Sequence, residues 1–437
     1  MPVPVVFQVP RYFLIALSTL VLASCTATDL KAPSGASQLP AAAATEARPS
    51  IPAATPSASS SPGDPTTPES STPPGGSVTL SLDPAVAYRI NATHTGSQAG
   101  RLTSRRLGQR WSRELGGPVS YPLIVGGKVY VTVGNVGSYG SALVALDERT
   151  GRTVWGPIAL GGTYGFSAAA YDQGMVFVVN FNGLVRAFDA ASGAARWSVK
   201  ADGQYSFDSP PTAFGGILYV LGAGSGATIY AFNEQSGAVQ WTAPVNGTTS
   251  APAVSPSGVF VTLACVQADD FNPSTGQLIW HHNGSCSGGG GATAVLYQGK
   301  VYARDVASGN LTLDAATGNV VGSFSATTNP AFSGNTGLFL SGATLGAVDL
   351  GSGTMRWSFA GDGSLVAAPI VAGGSVFTAS SSGIVYVLDA STGGLLASVD
   401  THARIEGTDE QNAVQRTSLA VGDGLLLVPA GTSLLAY

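Results

Sequence analysis

ALDERTGRTVW, residues 145–155, is the stretch that decides the fold, because the chain repeats it. Close copies are AFDAASGAARW at 187–197, AFNEQSGAVQW at 231–241 and DFNPSTGQLIW at 270–280. Weaker copies are TLDAATGNVVG at 312–322, AVDLGSGTMRW at 347–357 and VLDASTGGLLA at 387–397. Successive glycines of these seven copies lie 35 to 44 residues apart. Self-similarity at such a period indicates a repeat architecture.

Each unit has the chemistry of a tight turn between two strands. The Asp or Asn side chain can accept bonds from backbone amides two residues on, and Gly supplies the positive φ that closes the turn. The Trp that follows offers a large flat surface for packing on a neighbouring sheet. A second motif, Gly-x-Val-aromatic-Val or a variant of it, occurs eight times, starting at Gly127, Gly174, Gly216, Gly258, Gly299, Gly337, Gly374 and Gly424.

The two ends of the chain resolve the mismatch between eight strands and seven turns. Residues 433–437 align with residues 142–146, so the chain stops just before an eighth turn. The missing Trp strand is available near the other end, around Trp111. Terminal strands that share one sheet would close a ring and remove its exposed edges. We therefore predict an all-β, eight-bladed β-propeller of four-stranded antiparallel blades; the alternatives are seven blades and a parallel β-solenoid.

The N-terminal region has the composition of an export signal followed by a tether. An apolar run, Tyr12 to Leu22, is too short to span a bilayer but suits a secretory signal. It ends in Leu22-Ala23-Ser24-Cys25, which resembles the bacterial lipobox, in which the Cys is acylated. The Pro, Ser, Thr and Ala residues of 25–76 predict a disordered tether. We expect a signal peptide at 1–24, the tether at 25–76, a connecting segment of undefined structure at 77–106, and the propeller at 107–437.

The run A-[LF]-D-x-x-[TS]-G-x-x-x-W resembles the repeat of the pyrroloquinoline-quinone (PQQ)-like propeller superfamily. This resemblance covers about three quarters of the chain. It implies that a repeat Trp docks between blades, here at Trp111, Trp155, Trp197, Trp241, Trp280 and Trp357. The superfamily contains quinoprotein dehydrogenases, and also the lipoprotein subunit of the outer-membrane β-barrel assembly machine, which is a binding scaffold. Fold resemblance alone does not decide between these activities.

The sequence favours the scaffold over the enzyme. Quinoprotein alcohol dehydrogenases usually carry a vicinal Cys-Cys pair and long insertions that hold Ca²⁺, whereas this chain has three separated cysteines and closely spaced repeats. We expect no catalytic, cofactor-binding or metal-binding residues, and a non-enzymatic lipid-anchored module that binds a protein or envelope polymer. The alternatives are a PQQ-dependent dehydrogenase with Ca²⁺ and an envelope sensor or adhesin. A formal net charge of −5 argues against nucleic acid.

Four further features could belong to a site. Cys265 and Cys286 are predicted to form a disulfide, because exported protein folds in an oxidising compartment. His281-His282 is a weak metal candidate, since adjacent side chains of a strand point to opposite faces. The glycine run 288–291 lacks the context of a phosphate loop and suits the rim of a propeller mouth. The basic cluster is expected to be a solvated face, with anionic headgroups as the alternative; its members are Arg101, Arg105, Arg106, Arg110 and Arg113.

Overall fold

The computed structural model describes residues 83–99 and 107–437, except 225, 248, 285, 287–289, 306–307, 411 and 413. This part of the chain is β-structure and loops, with one short 3₁₀ turn at Ala264–Val266. The strands form eight blades of four antiparallel strands each, and one blade carries a fifth, short strand. The fold is an eight-bladed β-propeller, as the repeats predict, and neither the seven-bladed ring nor the solenoid. In the described residues there is no helix long and apolar enough to cross a membrane.

The strands of the first four blades are as follows. Blade 1 contains β3 Leu123–Val125, β4 Lys128–Gly134, β5 Ser141–Asp147 and β6 Thr153–Gly161. Blade 2 contains β7 Ser167–Asp172, β8 Met175–Asn180, β9 Leu184–Asp189 and β10 Ala195–Lys200. Blade 3 contains β11 Thr212–Phe214, β12 Ile217–Gly224, β13 Gly226–Asn233 and β14 Val239–Val245. Blade 4 contains β15 Ala253–Ser255, β16 Gly258–Thr262, β17 Ala268–Phe271 and β18 Leu278–His282.

The other four blades include strands from both ends of the chain. Blade 5 contains β19 Val295–Tyr297, β20 Lys300–Asp305, β21 Gly309–Asp314 and β22 Val320–Ser323. Blade 6 contains β23 Ala331–Ser333, β24 Thr336–Ser341, β25 Thr344–Asp349 and β26 Met355–Phe359. Blade 7 contains β27 Ile370–Ala372, β28 Ser375–Ala379, β29 Ile384–Asp389 and β30 Leu395–Asp400, with β1 Ser97–Gln98 added in parallel to β27. Blade 8 contains β31 Ala420–Gly422, β32 Leu425–Ala430, β33 Ser433–Ala436 and β2 Trp111–Glu114.

The repeated turn has the bonding that its residue types predict. In the first copy Asp147 Oδ1 accepts bonds from the Thr150 amide at 2.9 Å and from the Thr150 hydroxyl at 2.6 Å. The Gly151 amide donates to the Asp147 carbonyl at 2.8 Å, and Gly151 has a φ of +67°. An L side chain is strained at that φ, and a Cβ at Gly151 would also lie 2.7 Å from the Trp111 ring. Glycine is thus required both by the turn and by the indole that lies on it.

Each of the six tryptophans makes the same contact with the next blade. Its ring lies on the turn glycine, and its Nε1–H donates to the backbone carbonyl one residue after the turn Asp or Asn, at 2.7–3.1 Å. The acceptors are Glu148 for Trp111, Ala190 for Trp155, Glu234 for Trp197, Pro273 for Trp241, Ala315 for Trp280 and Ala390 for Trp357. The tryptophans therefore fix the spacing of neighbouring blades.

Strands from the two termini close the ring. β2 pairs antiparallel with β33, with Trp111 opposite Ala436 and Glu114 opposite Ser433. Because β33 and β2 are not consecutive in the chain, no Asp-to-Gly turn joins the third and fourth strands of blade 8. The apolar core lies between the blades, and the cluster around the closure joins buried residues of blades 7, 8 and 1.

Candidate functional site

The first strand of each blade lines the central channel, where neighbouring first strands contact one another. Residues 85–96 lie along these strands near their hairpin turns, at one end of the channel. Their backbone groups bond to six blades at 2.8–3.2 Å. The pairs are Ala85 with Ile124, Val86 with Tyr171, Ala92 with Val254, Thr93 with Leu296, Thr95 with Phe332 and Gly96 with Val371. The chain's own residues 85–96, hereafter the plug, thus fill this end of the channel.

Three large polar side chains of the plug are buried, namely Tyr88, Arg89 and His94. Arg89 donates to the carbonyls of Pro369 at 2.5 Å and of Ala368 and Pro330 at 3.3 Å. Burial lowers the pKa of Arg89 to about 10 and also lowers the pKa of His94. The plug therefore places buried, hydrogen-bonded polar side chains at the centre of the ring.

A long loop, residues 401–419, reaches the channel from the other side. It joins the outer strand of blade 7 to the inner strand of blade 8. Its Glu410 forms an ion pair with Arg304 and accepts a bond from the Tyr88 hydroxyl at 3.3 Å. Its Arg416 donates to the carbonyls of Asp208 at 2.7 Å and Glu410 at 3.2 Å. The plug and this loop meet inside the channel at the Tyr88–Glu410 contact.

The propeller end that carries the loop 401–419 also carries the other blade-to-blade loops and the turns between second and third strands. We name this end the loop face. Three tyrosines of blades 1 to 3 are exposed here: Tyr139 at 79%, Tyr164 at 53% and Tyr205 at 75%. The Tyr164 ring lies 4.4 Å from that of Phe181 on the next blade, between centroids. Exposed aromatic residues of this kind are typical of binding surfaces.

A disulfide joins two loops of blade 4 on the same face. Cys265 and Cys286 are bonded, with a Cα–Cα distance of 5.4 Å. Cys265 has a φ of +64°, and its amide donates to Asp305 Oδ2 of blade 5 at 3.0 Å. The predicted disulfide is therefore present and lies beside the boundary between blades 4 and 5. Of the glycine run, Gly288 and Gly289 lie outside the described residues.

The remaining predicted residues are dispersed. His281 Nδ1 lies 2.6 Å from Asp269 Oδ1 and its Nε2 lies 2.9 Å from Asn283 Oδ1, and Asp269 raises the pKa of His281. The described residues contain no group of three or more His, Cys, Asp or Glu side chains placed to hold a metal ion. Arg110 donates to the Gly424 carbonyl at 3.1 Å, away from the loop face. Cys25, Arg101, Arg105 and Arg106 lie outside the described residues.

Two glutamates with raised pKa lie at the opposite end, each beside an Asp of the neighbouring blade's hairpin. Burial and the adjacent Asp172 raise the pKa of Glu234 to about 8. Burial and Asp423 raise the pKa of Glu148 to about 7. Perturbed carboxyls can mark active sites. The backbone carbonyls of these two glutamates accept the Trp197 and Trp111 indoles, so their place is in blade packing.

Sequence reasoning missed the plug, the loop 401–419 and the exposed tyrosines. The plug belongs to a segment without the repeat, and its partners lie up to 322 positions away, as for Tyr88 and Glu410. The repeat period of a sequence gives no information on contacts between residues so far apart in the chain. The sequence did contain one indication of the exposed tyrosines. Tyr139, Tyr164 and Tyr205 fall between the repeated strands, where an aromatic ring is not needed for packing within a blade.

Comparison with known proteins agrees with this architecture. The profile of the family described as outer membrane protein assembly factor BamB matches residues 139–304, 284–396 and 307–437. No curated protein sequence matches the chain.

Solved structures share the fold at low sequence identity. BamB from Moraxella catarrhalis is 19% identical, with a TM-score of 0.52 over 75% of this chain and 96% of that one. Quinohemoprotein alcohol dehydrogenase from Comamonas testosteroni is 14% identical, with a TM-score of 0.63 over 81% of this chain and 80% of that one. The designed protein Ika8 is 17% identical, with a TM-score of 0.58 over 76% and 99%. Both a BamB protein and an enzyme thus share the fold, which leaves the activity to be argued from the site.

Proposed function

Because this chain belongs to the family described as outer membrane protein assembly factor BamB, we propose that it is a non-enzymatic propeller that binds a protein partner at the bacterial envelope. The partner binds at the loop face. The ring of blades holds that face rigid, which lowers the entropy lost on binding.

The observation that carries this proposal is the filled channel. A quinoprotein dehydrogenase holds its quinone in the central channel, and here the plug and the loop 401–419 place Tyr88, Arg89 and Glu410 there. The chain also lacks a Cys-Cys pair, and the described residues offer no cluster of ligands for Ca²⁺. The residues of the channel therefore do not fit PQQ with its metal, which supports a binding role.

The loop face has the residue types of a protein interface. Tyr139, Tyr164 and Tyr205 lie on neighbouring blades. Tyr is enriched among residues that dominate binding energy, because it buries a large area at a small loss of side-chain entropy. Exposed tyrosines on neighbouring blades suit a protein surface better than a substrate pocket, because substrate pockets are clefts that bury most of their ligand.

We place the protein on the outer side of a bacterial membrane, anchored by a lipid on Cys25. A tether of about fifty residues, extended at roughly 3 Å per residue, lets the propeller work up to about 150 Å from its anchor. The weakly apolar composition of residues 26–76 suits this spacer role. Mass spectrometry of the N-terminal peptide from native membranes would detect the acyl chains, and an unmodified Cys25 there would contradict the anchor.

Single alanine substitutions at Tyr139, Tyr164 and Tyr205 test the binding role. We expect at least one to weaken capture of a partner from the native envelope by 5- to 30-fold, the effect of about 1–2 kcal/mol, with an unchanged Tm. The matched control is Phe214→Ala, since Phe214 is also exposed but ends a first strand at the opposite end of the propeller. Equal capture by all four variants would contradict a partner site on the loop face.

A further inference from the structure

One of the eight blade boundaries has a complete turn but no tryptophan. The repeat strand carries Trp on blades 1, 2, 3, 4, 6 and 8, whereas blade 5 has Gly322 and blade 7 has Ala397 at the equivalent register. Blade 7 faces blade 8, in which no Asp-to-Gly turn joins the third and fourth strands, because β33 and β2 are not consecutive in the chain. An indole at position 397 would have nothing to dock on, so its absence follows from ring closure.

Closure does not explain Gly322, since the turn that it faces on blade 6 is intact. Asp349 Oδ1 accepts a bond from the Ser352 amide at 2.9 Å, and the Gly353 amide donates to the Asp349 carbonyl at 2.8 Å. Gly353 has a φ of +72°, like the other turn glycines. No described atom, apart from its own chain neighbours, lies within 4 Å of a Cβ built on Gly353, whereas six other turn glycines each carry an indole at 2.4–2.7 Å from that point.

A cavity of about 650 Å³ lies between blades 5 and 6, where the indole is missing, and both Gly322 and Gly353 line it. Its walls include Tyr302, Phe324, Phe339, Leu350 and Met355. Both Tyr302 and Phe339 have ring centroids 5.5 Å from that of Phe324. This volume is within the range of ligand sites, which are about 300–1,000 Å³. The cavity opens at the rim, where Met355 is 61% and Val321 53% exposed.

The site retains the hydrogen-bond acceptor that an indole needs. At the six filled boundaries the acceptor is the carbonyl one residue after the turn Asp or Asn. The equivalent here is the Leu350 carbonyl, and Leu350 lines the cavity. Among the hydrogen bonds of the described residues, the Leu350 amide donates to Asn335 and its carbonyl accepts none. The uncovered turn glycine and the carbonyl acceptor therefore both match the way in which an indole docks at the other boundaries.

The cavity continues into a groove that is longer than one ring. A second cavity, of about 370 Å³, shares Phe324, Ser325 and Ser341 with the first. It leads to Arg304 and Asp305 near the loop face. An extended polypeptide can place one side chain in the first cavity and its backbone along the second, whereas a free aromatic molecule fills only the first.

We propose that the boundary between blades 5 and 6 binds a tryptophan side chain of a partner polypeptide. The indole lies on Gly353 and donates to the Leu350 carbonyl, in the place that a repeat Trp holds elsewhere. The six tryptophans of the chain are all docked at other boundaries, and residues 26–82 contain no aromatic residue. The occupant is therefore a different protein. This inference rests on the proposed binding role, to which it adds a second site.

Probe binding tests the site without the native partner. N-acetyltryptophanamide should bind the purified protein saturably, with a Kd on the order of 1 mM, and N-acetylleucinamide at least tenfold more weakly. An extended peptide with one central Trp should bind at least tenfold more tightly than the amide. Absence of saturable binding by either Trp probe up to about 10 mM would overturn the site. Equal affinity of peptide and amide would overturn the polypeptide as its occupant.

Gly322→Trp restores the repeat residue and should block the site. A Cβ on Gly322 meets only Thr312, at 3.9 Å, and Gly322 lines the cavity that the ring would enter. We expect probe binding to be lost and Tm to rise by about 2 °C or more. Gly322→Ala, the control, should bind both probes as the native chain does.

A second variant tests the site independently of Gly322→Trp. The loop-face assay distinguishes failure of this site from failure of the proposed binding role. Phe324→Ala removes one wall and should weaken the probe at least fivefold, which tests the site even if Gly322→Trp does not fold. Probe binding unchanged in a folded Gly322→Trp protein or in Phe324→Ala would contradict the proposal. If the probe-binding tests fail, the capture assay with the loop-face tyrosine variants still tests the proposed binding role by itself.

Discussion

Deleting residues 430–437 should abolish the cooperative unfolding transition of the propeller. The deletion removes β33, whose Leu434 and Leu435 are buried together with Tyr437, and leaves β2 without its partner strand. Burial of each large side chain contributes about 2 kcal/mol, so the loss is at least about 6 kcal/mol. Domains are stable by only about 5–15 kcal/mol, and an opened ring also exposes two sheet edges.

Deleting residues 30–70 is the matched truncation. It removes more chain, but only tether with few large apolar side chains, and should leave Tm within about 2 °C of the native value. Thermal melts followed by circular dichroism compare the two. Similar transitions for both truncations would contradict closure by the terminal strands.

Glu410→Ala should destabilise the protein by about 3–5 kcal/mol, because it leaves a buried cation without its carboxylate. Arg304 and Glu410 pair with 10% and 5% of their side chains exposed, and Glu410 also accepts from the Tyr88 hydroxyl of the plug. The substitution therefore breaks the contact between the plug and the loop 401–419. Denaturant unfolding with a fixed m-value measures the loss.

Glu406→Ala is the control in the same loop. The Arg404–Glu406 pair is 3.8 Å apart with 77% and 68% of its side chains exposed, so its loss should change stability by less than about 0.5 kcal/mol. An equal loss of unfolding free energy in Glu410→Ala and Glu406→Ala would contradict the role of Glu410 in holding the plug and the loop 401–419 together in the channel.

The fold follows from the sequence because its determinants are local. The Asp147-to-Gly151 turn and Trp155 lie within eleven residues and the unit recurs every 35 to 44 residues, so their roles are visible without the structure. Closure was visible too, because the counts of turns and strands differ by one. The channel was not, because Arg89 and Glu410 act through contacts with distant blades.

The site between blades 5 and 6 could be predicted from the sequence only in part. Gly322 is visible in the sequence as a weak copy of the repeat, as is Ala397. Only the structure separates the two, since it shows that Ala397 faces the closure whereas Gly322 faces an intact turn. A missing repeat Trp leaves a binding site only where the turn that it would contact on the next blade is still present.

The claim that the chain's own residues fill the channel of a binding propeller can be tested by titrating purified full-length protein with PQQ and Ca²⁺. Absorbance measures binding of the quinone, and dye reduction with alcohols, aldehydes and sugars measures turnover. The plug and Glu410 occupy the channel, so we expect neither saturable quinone binding nor substrate-dependent dye reduction. Stoichiometric quinone binding with substrate-dependent dye reduction would contradict the account and identify the protein as a dehydrogenase.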